Sequence, residues 1–96
     1  MEALYNRQIY GETTAIKIEA MGSTAVGIAN RWALGWPKRV LSLLVNHQFM
    51  EKLIAQTELE KDILANETAL KHLSPREILE MHGVSQEPPE AIQHAG

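Results

Sequence analysis

Two stretches of helical hydrophobic periodicity meet at Gly35-Trp36-Pro37, and this break constrains the fold more than any other part of the chain. Upstream, Ile18, Met21, Ala25, Ile28 and Trp32 recur at alternating steps of three and four, the spacing of one helical face. The stripe predicts a helix over 13–34, which Gly22 and Gly27 weaken by roughly 1 kcal/mol each. With Ala20, Ala25 and Ala29 these glycines also leave a slim face that a neighbouring helix can approach closely. Downstream, Pro37 suits the first turn of a helix, and Val40, Leu41 and Leu44 share a face. Phe49, Met50, Leu53, Ile54, Thr57, Ile63 and Leu64 carry the pattern on to about Glu67, with Asn46-His47 as a point where it ends or bends. Leu59 lies off that stripe. Gly35 therefore reads as the stop of one helix and Pro37 as the start of the next, a helical hairpin cornered within Arg31–Val40.

The best-specified local structure lies later, in LSPREILEMHGV (Leu73–Val84). Ser74 is a good N-cap, Pro75 fits the first helical position, and Glu77 stands where a capping box closes. Gly83 supplies a left-handed stop, after which Val84 can fold back on Leu79. A helix over 75–82 is thus defined at both ends, and being short it must dock through Ile78, Leu79 and Met81. NETALKH (Asn66–His72) reads as its connection to the preceding helix. The fold class expected is mainly α, a small helical bundle built on the hairpin with the short C-terminal helix packed across it. The alternative is α+β: AIKIEA (Ala15–Ala20) alternates like a strand and could pair with YNRQIY (Tyr5–Tyr10), giving a β-hairpin over residues 5–20 before a helix starting near Ser23.

At 96 residues the chain has room for one core, expected over 1–84 with 1–12 loosely held and 85–96 as a disordered tail. A hydrophobic fraction of 45% excludes global disorder, while no apolar run approaches the ~20 residues of a membrane helix. The absence of cysteine excludes a disulfide framework, a thiolate metal site and a cysteine nucleophile. No export signal is visible in MEALYNRQIY, so a cytoplasmic location is the expectation. The net charge of −3 argues against a protein that coats nucleic acid.

Both tryptophans and three of the nine Lys and Arg residues fall within RWALGWPKRV, Arg31 to Val40. Trp32 belongs to the core stripe, whereas Trp36 sits in the turn, with its ring expected to cover Val40 or Leu41. Trp and Arg are enriched where proteins bind one another, so Arg31, Trp36, Lys38 and Arg39 are the candidate partner-binding residues. The partner expected is a protein with an acidic surface, a second copy of this chain among the candidates as a homodimer. Catalytic chemistry finds little support. His47, His72, His82 and His94 are scattered, and MGST (Met21–Thr24) is no nucleophile elbow. GSTAVG (Gly22–Gly27) lacks the lysine of a phosphate loop. Glu58, Glu60 and Asp62 point in different directions on a helix and read as a solvated face. No cofactor or metal is expected, and a non-catalytic interaction or regulatory module is the leading reading.

REILEMHGVSQ (Arg76–Gln86) resembles the first helix and turn of DNA-binding helix-turn-helix domains, which makes a DNA-binding regulator the alternative function. The resemblance covers about eleven residues. Pro88-Pro89 would disrupt most recognition helices, Glu87 and Glu90 would face phosphate, and capping logic explains the same letters without DNA. Nucleic acid is therefore not the expected partner.

Overall fold

In the computed structural model, which describes residues 3–66 and 72–91, the chain is mainly α. The helices are α1 (Arg7–Tyr10), α2 (Glu12–Ala20), α3 (Ser23–Gly35), α4 (Pro37–Val45), α5 (Phe49–Asn66) and α6 (Pro75–Met81). Among the described residues there is no strand, and the expected alternative of a β-hairpin over 5–20 is replaced by α1 and α2. Burial shows why: Ile18 is fully buried and Ile16 is 54% exposed, whereas a strand would turn both to one face.

The single helix expected over 13–34 is two helices. Gly22, at φ +104°, breaks it between α2 and α3, in a conformation a side chain would oppose. The predicted stripe survives the break: Ile18, Ala25, Ile28 and Trp32 are all buried, and Met21 packs against the same core. Of the slim face, Ala25 and Ala29 are buried in an α3 that touches α2, α4 and α5, whereas Ala20 and Gly22 are exposed and Gly27 is half-buried.

The chain also turns at Asn46-His47. His47 takes φ +57°, the left-handed region, and the Gln48 N–H donates back to the Leu43 carbonyl at 2.8 Å. This reversal brings α5 back along α3. On α4 the inward residues are Val40 and Leu43, with Leu44 half-buried; Leu41, expected on that face, is 46% exposed. On α5 the buried row is Phe49, Leu53, Thr57 and Glu60, while Ile54 turns outward. The buried Thr57 hydroxyl is satisfied by the Leu53 carbonyl at 2.7 Å.

Three aromatic rings meet at the centre. Phe49 lies 5.1 Å from Tyr10 and 6.2 Å from Trp32, the latter edge to face at 84°, an arrangement that suits the ring quadrupoles. Residues 3–10, expected to be loose, are anchored. Leu4 and Tyr10 are buried, Asn30 accepts from the Tyr5 N–H at 2.7 Å and donates to the Ala3 carbonyl at 2.8 Å, and the Tyr10 hydroxyl donates to the Ala29 carbonyl at 3.0 Å.

α6 forms as its letters require. Ser74 and Glu77 exchange the two hydrogen bonds of a capping box. At the other end Val84 donates to the Leu79 carbonyl and Gly83, at φ +72°, to that of Glu80, completing a Schellman stop. Ile78 and Leu79 dock against the bundle; Met81, expected to join them, is 65% exposed. Most of the expected connection at 66–72, namely 67–71, lies outside the described residues.

Candidate functional site

The corner at Arg31–Val40 is made by Pro37 rather than by Gly35. A residue preceding proline is pushed out of the α region, and Trp36 takes φ −137° and ψ 59° while its neighbours on both sides remain helical. Gly35 is the last residue of α3 and needs no left-handed backbone, so its expected role as the stop is corrected. Trp36 bridges the two helices through its backbone, donating to the Trp32 carbonyl at 2.8 Å and accepting from the Val40 N–H at 3.1 Å. Trp32 is fully buried, and among the described residues its Nε1–H meets no acceptor. Trp36 is half-buried and Lys38 is exposed.

The two arginines of the corner face acids and carbonyls of their own chain. Arg31 Nη2 donates to Glu60 Oε2 at 2.9 Å and Nε to the Gln86 carbonyl at 3.2 Å. Arg39 Nη1 donates to Glu87 Oε2 and to the Pro88 carbonyl, both at 3.1 Å, and Nη2 stands 3.7 Å from Glu90 Oε1. Gln56 Nε2 bonds Glu60 Oε2 at 2.7 Å and reaches the Ser85 carbonyl at 3.5 Å. These groups hold residues 85–91 across the surface, with Pro88 fully buried and Ala91 against the core. Residues 85–91, expected to belong to a disordered tail, are those that make these contacts; residues 92–96 lie outside the described residues. The segment is held by arginine donors and one buried ring rather than by an apolar face of its own.

Of the four residues nominated by sequence, the structure commits Arg31 and Arg39 to an internal network and leaves Lys38 outward. Sequence reasoning missed Glu60, Gln56 and the acceptors at 85–90. Glu60, read with Glu58 and Asp62 as part of a solvated face, is instead only 4% exposed, and of the three only Glu58 and Asp62 face solvent. The signal was there: 49, 53, 57 and 60 step by four, four and three, so the buried row runs through a carboxylate. A carboxylate in such a place requires a cationic partner, and Arg31 supplies it.

No family model, curated protein or solved structure matches this chain. The functional reading therefore rests on the chemistry of the surface. Among the described residues no three His, Asp or Glu side chains converge as a metal site would require, and no helix is long and apolar enough to cross a membrane. An open groove of roughly 770 Å³ runs between α3, α5 and α6, lined by Thr24, Arg31, Glu60, Arg76 and Leu79 among others. The phenol of Tyr10, pushed up to about 12 by burial, belongs to the core and does not line it. The residues after Gly83-Val84-Ser85 are not helical through Ala91, so the helix-turn-helix resemblance ends at its first helix within the described residues.

Proposed function

We propose that the chain is a non-catalytic protein–protein interaction module that docks its partner on the outer face of α4. The observation that carries this reading is a row on that helix: Lys38, Leu41 and Val45, spaced by three and four, with Leu41 46% and Val45 75% exposed. Leu34, at the end of α3, adds an apolar side chain that is 85% exposed. Single exposed apolar residues are ordinary, but a row of them beside a cation has the composition of a binding surface. The matching surface combines apolar groups with carboxylates. The outer side of α5, with Ile54, Glu58, Leu59 and Asp62 exposed, is of that kind, which makes a second copy the first partner to test.

Sedimentation velocity of the wild-type chain and of an L41E/V45E variant over a range of concentrations tests this. Concentration-dependent association in the wild type, lost in the variant while its circular dichroism stays native, supports the proposal. A wild-type chain that stays monomeric throughout removes the second copy as partner, and an unchanged association in the variant removes the α4 face.

A further inference from the structure

We propose that the cleft formed by Arg31, Arg39 and Gln56 is a binding site for a non-helical, acidic, proline-containing peptide of a partner protein, a site that residues 85–91 occupy in cis. The site is separate from the outer face of α4, and the inference does not depend on that reading. Three observations carry it. First, the donors in the cleft are aimed at main-chain oxygens: Arg31 at Gln86, Arg39 at Pro88, and Gln56 at Ser85. A non-helical strand of peptide presents such carbonyls whatever its side chains, so these contacts would hold any segment of the same path. Second, Arg39 stands between two carboxylates, Glu87 and Glu90, which are 55% and 84% exposed. Charge therefore selects an acidic peptide without requiring a sealed pocket. Third, Pro88 is the one side chain of the segment that is fully buried. Its neighbour Pro89 keeps it out of the α region, and both rings hold φ at about −65°, so the Pro88-Pro89 pair loses little backbone freedom on docking.

The occupant is local. Residues 85–91 follow directly on the Schellman stop at Gly83-Val84, outside any helix. A ligand tethered this closely is present at an effective concentration on the order of millimolar, so it masks the cleft from an outside peptide of the same kind. Weakening the cis contact while leaving the cleft intact should unmask it. Glu87 and Glu90 serve this purpose because they are exposed and contribute to the segment rather than to the cleft.

A fluorescent peptide of sequence SQEPPEA is titrated by anisotropy against the wild-type chain, an E87K/E90K variant, and the same variant carrying R39Q. The expected order is binding to E87K/E90K at least about tenfold tighter than to the wild type, weakened by added salt, and lost again with R39Q. A peptide with alanine in both proline positions should bind the variant more weakly. Equal binding to all three proteins, or binding that ignores R39Q, overturns the proposal. Wild-type dimers that R39Q abolishes and excess peptide does not dissociate also overturn it, in favour of exchange of 85–91 between copies. Should the charge-reversed variant not fold, the wild-type chain is titrated with excess peptide by NMR. Movement of the 85–91 resonances towards unfolded positions supports the site, and unchanged spectra overturn it.

Discussion

Replacing Tyr10 by Phe should make the protein less stable at neutral pH and more stable than the wild type in strong alkali. The ring is 6% exposed, lies 5.1 Å from Phe49 and is kept by the substitution. What is lost is the hydroxyl and its 3.0 Å bond to the Ala29 carbonyl, a net cost of about 1 kcal/mol at neutral pH. In alkali the same hydroxyl becomes a liability. Burial lifts its ionisation from 10.0 to about 12. Between those values the unfolded chain has released the proton and the folded chain still holds it, so stability falls as pH rises through this window. Two pH units at roughly 1.36 kcal/mol each set an upper limit near 2.7, and partial solvation of the phenol reduces this to about 2 kcal/mol. The wild type therefore moves from about 1 kcal/mol above Tyr10→Phe to about 1 kcal/mol below it. Contributions common to both proteins cancel in the difference. Urea unfolding followed by circular dichroism across a pH series measures the gap. Parallel curves above pH 10, or a gap that widens, would refute the burial argument for Tyr10.

Three further outcomes follow from other parts of the fold. Leu53→Ala empties a fully buried position on α5 and should cost about 3 kcal/mol in urea unfolding; a loss under about 1 kcal/mol would mean the core is not packed as described. Gly22→Ala should destabilise by about 1 kcal/mol, because φ is +104° and the space around it is open, so the effect is the backbone's alone. In an uninterrupted helix the same change would stabilise by a similar amount, and the sign in thermal melts decides between the two. Ser74→Ala removes the side chain that caps α6 and should cost about 1 kcal/mol, seen as faster amide exchange in α6 with α3 little affected.

The chain fixes its local punctuation by itself. Ser74, Pro75, Glu77 and Gly83 determine α6 at both ends because each acts within three residues of its own position, on N–H groups, on φ, or on the last carbonyls. Pro37 likewise dictates the bend at Trp36 without help from the rest of the chain. The core row Ile18–Ala25–Ile28–Trp32 was legible because periodicity records which face is inward. What it could not record is how far a face extends or what lies opposite. A run of helical letters does not show that Gly22 is left-handed, since glycine permits both signs of φ and only the packing of α2 beside α3 selects one. Nor does it show that Leu41 faces out and Leu43 in, because several registers of α4 present an apolar stripe and the angle at the corner chooses among them. The corner itself changed meaning most. Read alone, Arg31, Trp36, Lys38 and Arg39 are a basic patch awaiting a partner. In three dimensions Glu60 arrives from 29 residues away and Gln86 from 55, and the two arginines already hold an acidic, non-helical segment. Charge pairing of this kind depends on distance through space, which the order of residues along a chain does not contain until the helices have turned back on one another.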